Sequence, residues 1–262
     1  MRIRNFHISV NALKLSLSTV LMLTAMHTAS AAEGEPISPY RPSVSNSAQL
    51  PVVGQLELEL GMLTASSDSR RQSLPYLMKL AWSEQWGVLL GGEARVRNTQ
   101  AGVVEQGVGD TSLVLKRAFI LDQETAYGLE LSVKLPTAGS VLGSGKRDIG
   151  LNSIYSKDIG EWHVDHNLNL TQLGTCEEGS SCWQSGLSSA WTYNLSDKAE
   201  IIGEWSGTQR RGTKPQSQIL LAFTYSPTPR LCFDIGVTKG MSQNANNWTW
   251  FAGVVMPLGK LF

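Results

Sequence analysis

From about residue 55 onward the chain alternates apolar and polar positions with a period of two, segment after segment, and has no convincing helical stretch. A strand sends successive side chains to opposite faces, so this pattern predicts strands with one apolar edge and one polar edge. Leu56, Leu58, Leu60 and Met62 alternate with Glu57 and Glu59. Tyr127, Leu129, Leu131, Val133 and Leu135 oppose Gly128, Glu130, Ser132 and Lys134. Trp162, Val164, His166, Leu168 and Leu170 oppose His163, Asp165, Asn167, Asn169 and Thr171, and Leu231, Phe233, Ile235 and Val237 oppose Cys232, Asp234, Gly236 and Thr238. Alternation in segments of about ten residues is the pattern of barrel strands that cross a membrane, apolar outward and polar inward.

The pattern predicts twelve strands, near 54–64, 73–83, 86–97, 109–121, 125–136, 147–157, 161–173, 183–193, 198–207, 215–226, 230–240 and 248–262. An even number suits a single-chain bacterial barrel with both ends on the periplasmic side. Tight turns are expected at 83–85, 121–124, 158–160, 194–197 and 226–229. Longer linkers are expected near 65–72, 98–108, 137–146, 174–182, 208–214 and 241–247, so that short and long connections alternate. The expected fold is therefore all-β: a transmembrane antiparallel β-barrel over 53–262. Trp82, Trp86, Trp162, Trp191 and Tyr193 fall beside the tight turns, and Trp183, Trp248 and Trp250 beside the long loops, where interfacial girdles belong.

The two ends fit export. Arg2, Arg4 and Lys14 precede an apolar run from Leu15 to Met26 and a small-x-small site, Ala29-Ser30-Ala31. This is the layout of a signal peptide over 1–31, too short in its apolar core to span a membrane. Residues 32–52 are rich in Pro, Ser and Asn and read as a periplasmic tail or a plug in the lumen. At the other end, Trp250, Ala252, Val254, Met256, Leu258 and Phe262 share one edge, interrupted by Lys260. A closing strand of this kind ending in Phe262 resembles the signal read by the outer-membrane barrel-assembly machinery. The expected location is the bacterial outer membrane, with its lipid as a partner.

Charge narrows the partners. The signal segment holds three of the 22 basic residues and none of the 22 acidic ones, leaving 19 against 22. That balance argues against nucleic acid. Of the three cysteines, Cys176 and Cys182 are close enough in sequence for a disulfide loop in an oxidising compartment, and Cys232 is left over.

Three motifs in the middle third carry a family resemblance: Gly107-Val108-Gly109-Asp110 leading into Leu113-Val114-Leu115-Lys116, then Lys134-Leu135-Pro136-Thr137, then Gly143-Ser144-Gly145 followed by Asp148-Ile149-Gly150-Leu151. In order and spacing the chain resembles the outer-membrane family named for the MetA pathway of phenol degradation. The resemblance implies a transporter that moves small hydrophobic or aromatic organic compounds passively across the outer membrane.

Candidate chemistry lies on the inward edges. Asp110, Lys116, Glu130, Lys134 and Asp148 fall on the charged edges of three successive strands, spaced for cross-strand ion pairs. Glu93, Arg95 and Arg97 share a face by simple alternation, and Glu57 and Glu59 are expected to oppose them. Each set is read as lumen packing or as a charged constriction that selects solutes. Arg117 falls on an apolar edge near a turn, placed to snorkel to headgroups. His163 and Asp165 point inward and His166 outward, so two ligands converge where zinc requires three, and no metal or other cofactor is expected. His166, with Ser153, Ser185 and Ser189, shares the outward edges, as in lipid-hydrolysing barrels. No hydrolase motif accompanies them, and the chain is not expected to be an enzyme. The alternative to a channel is a non-transporting surface barrel that binds a partner or scaffolds the envelope.

Overall fold

The computed structural model describes residues 34–67, 69–139, 142–242 and 245–262. The expected signal peptide lies outside the described residues. The strands are β1 (Gln55–Ser66), β2 (Arg70–Ala81), β3 (Trp86–Gln100), β4 (Val103–Gly107), β5 (Thr111–Ile120), β6 (Thr125–Leu135), β7 (Asp148–Ile159), β8 (Trp162–Gln172), β9 (Trp183–Ser196), β10 (Ala199–Arg210), β11 (Gln216–Thr228), β12 (Leu231–Gly240) and β13 (Trp248–Lys260). Neighbours pair antiparallel, β1 pairs with β13, and β2 pairs with β3, so the sheet closes on itself. β4 continues the register that β5 makes against β3, Val96 opposite Gly107 and Gly91 opposite Ser112. The two are one strand interrupted at 108–110, and the barrel has twelve staves.

Two linkers differ from expectation. The 98–108 stretch is a tight hairpin of β3 and β4 whose turn residues Ala101 and Gly102 both have positive φ, 48° and 83°. Two such residues make the turn whose twist matches the flanking strands. β1 and β2 also run further than predicted, leaving only 67–69 between them. These strand ends are mainly polar, and Val103 and Val104 are adjacent rather than alternating, so the ends carry no period-two apolar signal. Short and long connections therefore do not alternate throughout.

The barrel inverts the burial of a water-soluble domain. Leu131, Leu168, Leu221 and Ile235 are 51%, 61%, 61% and 59% exposed, whereas Lys79 and Lys116 are fully buried at 0%. Full burial of one such apolar side chain is worth ~1.5–3 kcal/mol. An encircling band of them is stable against acyl chains and unstable against water. At the turn end, rings touch across four strands: Tyr127 with Tyr155 at 5.1 Å, Tyr155 with His166 at 6.2 Å, His166 with Trp191 at 6.0 Å, and Trp162 with Tyr193 at 4.9 Å. Arg117 lies over Trp86 and Phe119, 5.1 and 4.6 Å from the ring centres.

Two bulges change which way side chains point. Opposite the Leu56–Glu57 step the register skips Leu258, and Lys260 comes to lie opposite the buried Gln55. This accounts for the one break in the outward edge of β13. Between Leu74 and Pro75 the register skips Ala94, so Glu93 pairs with Pro75 and Arg95 with Leu74. An extra residue shifts every following side chain to the other face. Arg95 and Arg97 therefore leave the lumen and join Leu74 and Gln72 on the outer face, while Val96 turns inward and is fully buried. The expected common face of Glu93, Arg95 and Arg97 does not form.

Candidate functional site

The inward side chains converge on residues 35–52. The backbone N–H of Ser38 donates to Glu57, and those of Tyr40 and Arg41 donate to Glu59 at 2.8 and 3.2 Å. Farther round, Val44 and Ser45 N–H both donate to Glu204 at 2.8 Å, Asn46 N–H to Asn167 at 2.9 Å and Ala48 N–H to Ser156 at 2.8 Å. Arg41 forms a two-pronged pair with Asp234, Nε to Oδ2 and Nη2 to Oδ1, both 3.0 Å. A segment without secondary structure must place its backbone donors somewhere. Here the acceptors are carboxylates, amides and hydroxyls from β1, β7, β8 and β10.

Two buried lysines supply the counter-charge. Lys79 sits 3.2 Å from Glu57, contacts Glu59, and donates to the Ser38 carbonyl. Lys116 sits 3.0 Å from Glu130 and donates to the Ser47 carbonyl. The Tyr40 ring lies between them, each Nζ 4.2 Å from its centre. Glu130 also accepts from Asn46 and from Asn152, the latter at 3.0 Å. A buried ion pair is held only where its remaining oxygens and protons are also partnered, and the segment's carbonyls and amides supply these partners.

Space for the Arg41 guanidinium comes from Gly61 and Gly253, which lie opposite each other on β1 and β13. A Cβ on Gly61 would stand 2.8 Å from Arg41 Cζ, and one on Gly253 2.7 Å from it. Neither position tolerates a side chain without displacing the arginine.

At the far mouth, the three motif stretches meet. Lys134 lies 2.7 Å from Asp148 and 3.6 Å from Asp110, and donates to Ser144 Oγ at 2.8 Å. Asp110 accepts from the Ala138 N–H at 3.0 Å, and Asp148 from the Gly174 N–H at 2.9 Å. The Gly107–Asp110 junction, the end of β6 and the start of β7 thus form one ion cluster that holds the β6–β7 loop. Asp110, Lys116, Glu130, Lys134 and Asp148 make cross-strand ion pairs in two clusters, Lys116 with Glu130 and Lys134 with Asp110 and Asp148.

The remaining candidates are placed as follows. Glu93 faces inward and pairs with Arg71, not with Glu57 or Glu59. His163 lies between Asp158 and Asp165, 2.5 and 3.1 Å away, and Ser156 donates to Asp165. Among the described residues no group of three or more His, Cys, Asp or Glu can hold a metal ion. His166 stands opposite Ser189, but Ser189 accepts from the Trp191 indole at 3.0 Å, and His166 stacks on Tyr155 and meets Trp191 edge to face. Cys176 and Cys182 are disulfide-bonded with Cα atoms 5.3 Å apart, and Cys232 is free and buried. Sequence reasoning missed Lys79, Glu204, Asp234 and Arg41 as site residues. Lys79 between Met78 and Leu80, and Glu204 between Gly203 and Trp205, carried the signal: a charge on an inward edge. Nothing around Arg41 marks it.

Residues 35–52 separate two cavities. On the loop side lies one of about 740 Å³, walled by hydroxyls and carboxamides such as Ser112, Ser132, Asn169, Ser206, Thr208 and Gln218, with Val44, Asn46 and Glu130 at its base. On the turn side lies one of about 410 Å³, lined by residues 36–43 together with His163, Asp165, Thr192 and Glu200.

No known protein family matches the chain, and no curated protein matches it. Among solved structures, an outer-membrane channel from Pseudomonas putida F1 superposes with a TM-score of 0.66 at 14% identity, over 85% of this chain and 100% of that one. The NanC porin superposes at 0.55 and 13% identity, over 78% of this chain and 100% of its own. The KdgM porin, solved in complex with disordered oligogalacturonate, gives 0.52 at 10% identity, over 78% and 99%. At such identities these are likenesses of fold: this chain has the barrel architecture of outer-membrane channels.

Proposed function

We propose that the chain is a channel of the bacterial outer membrane that admits small organic solutes by diffusion, and that residues 35–52 act as its plug. One observation carries this reading: the apolar-walled cylinder holds a polar cavity on each side of a single segment tied to inward side chains. Twelve staves enclose more room than their own side chains fill. Export on the 1–31 signal and a periplasmic position for the tight turns complete the proposal.

The resemblance to the phenol-degradation family implies hydrophobic or aromatic cargo. The wall of the larger cavity favours solutes that also offer hydroxyl groups, phenolic compounds among them. A wholly apolar solute there desolvates hydroxyls and amides without returning a hydrogen bond, at about 1–3 kcal/mol for each group left unpaired. The cavity volume lies within the roughly 300–1,000 Å³ common for small-molecule sites. A scaffold barrel that transports nothing is the second reading, favoured by the number of hydrogen bonds that hold the segment.

The deciding experiment compares the full chain with a variant lacking residues 35–51 in planar bilayers and in a liposome swelling assay. A channel gives low or flickering conductance for the full chain and a large, stable conductance for the deletion, with faster entry of phenols and small polyols. A folded deletion variant that stays sealed to ions and solutes eliminates the channel.

A further inference from the structure

The bulge at Ala94 does more than remove two arginines from the lumen. It places them on the outward face at the height where the apolar band stops. Following the register across β1, β2 and β3, the outward rows are Leu58, Met78 and Leu90; then Leu60, Tyr76 and Gly92. The next row ends on Leu74 and Arg95, the one beyond holds Thr64, Gln72 and Arg97, and the last Ser66, Arg70 and Thr99. The face changes from aliphatic to cationic within one step. Arg70, Arg95 and Arg97 are all exposed.

Among the described residues no carboxylate neutralises them. Among the described residues none of the three forms an ion pair, and the only side-chain partner is Gln106, which accepts from Arg95 at 3.4 Å. The carboxylates on neighbouring positions face the other way: Glu93 points inward to Arg71, and Glu105 stands opposite Asn98 on the lumen-side register. Continuing round the same height, Trp248 and Trp250 stand opposite Ser66 and Thr64, and Lys239 lies over the Trp248 ring at 4.8 Å. Arg95 and Arg97 are two residues apart on one strand, and Arg70 is diagonal to Arg97, spacings of about 7–8 Å that long side chains bridge.

We propose that Arg70, Arg95 and Arg97 form a binding site for the phosphate groups of a phosphorylated lipid in the outer leaflet, its acyl chains lying on the band that begins at Leu74. Guanidinium forks suit phosphate oxygens, and several cations in a partly dehydrated interface hold a polyanionic headgroup where a single exposed pair does not. Tryptophans at the same level mark the interface in which such a headgroup sits. This inference rests on the outer-membrane placement proposed above, with the loop end outward, and does not depend on whether the lumen conducts.

The test uses the full chain purified in a neutral detergent, with native mass spectrometry and a fluorescent-lipid competition assay. The probes are bisphosphorylated lipid A, its fully dephosphorylated form, phosphatidylethanolamine and inorganic phosphate. Wild type is expected to hold bisphosphorylated lipid A at least tenfold more tightly than the dephosphorylated form. The variant R70Q/R95Q/R97Q is expected to lose that preference, while Arg71→Gln, on the inward face, keeps it. R70K/R95K/R97K retains the charge and is expected to lie between. Heat-modifiable gel mobility checks that each barrel is folded, and bilayer conductance, unaltered in R70Q/R95Q/R97Q, separates failure of this site from failure of the channel. Equal binding of both lipid A forms by wild type, an undiminished preference in the triple glutamine variant, or displacement by inorganic phosphate at the same concentration as by lipid overturns the proposal.

Discussion

Lys79→Met isolates the contribution of the buried charges to the plug. The replacement keeps an unbranched stem and removes an ammonium that is 3.2 Å from Glu57, in contact with Glu59, and bonded to the Ser38 carbonyl. All three side chains are at most 1% exposed, so solvent screens little of the loss. Removing one member of a buried pair costs about 3–5 kcal/mol, because the remaining charge is left uncompensated. Here two carboxylates on the same face lose one cation. The backbone N–H groups of Ser38, Tyr40 and Arg41 and the Gln55 amide still donate to them. A loss near 3 kcal/mol is therefore expected, a factor of about 10² in the folding equilibrium. Urea unfolding in detergent micelles, followed by tryptophan fluorescence, measures it. The variant K79M/E57Q/E59Q removes the orphaned charges and is expected to regain most of the loss. A K79M protein that unfolds at the wild-type urea concentration, or a triple variant less stable than K79M, refutes the electrostatic account of how the segment is held.

Other expectations follow from the same contacts. Gly253→Val fills the slot that holds Arg41, so the Arg41–Asp234 pair opens, and single-channel conductance is expected to rise while the barrel stays folded by gel mobility. Lys134→Met removes the cation shared by Asp110 and Asp148, each partly exposed; global stability is expected to fall by about 1 kcal/mol or less, whereas limited proteolysis within the β6–β7 loop accelerates severalfold. C176S/C182S opens the β8–β9 loop, and cleavage there is expected to quicken with the barrel's unfolding midpoint unchanged, since loops open locally without the barrel.

What the sequence determined alone is the wall. Period-two alternation identifies the outward residues of β6, β8 and β12 because lipid on one side and water on the other impose opposite demands on adjacent positions. The same alternation marked Glu57, Glu59, Lys116, Glu130 and Lys134 as inward and spaced for cross-strand pairs, while the register decided that Lys116 meets Glu130 and Lys134 meets Asp148. It failed where the period itself breaks. One inserted residue at Ala94 reverses Arg95 and Arg97, and one at Leu258 reverses Lys260; neither insertion leaves a mark in composition, since a bulge is a property of the pairing between two strands. The strand ends that build the β3–β4 hairpin, without period-two alternation, likewise look like loop until they find partners. Tertiary structure alone decided what fills the barrel. Residues 35–52 have no periodicity and no regular structure, and their course depends on carboxylates 18 to 193 positions away in the chain. Contacts of such range follow from closing the cylinder, which brings β1 against β13.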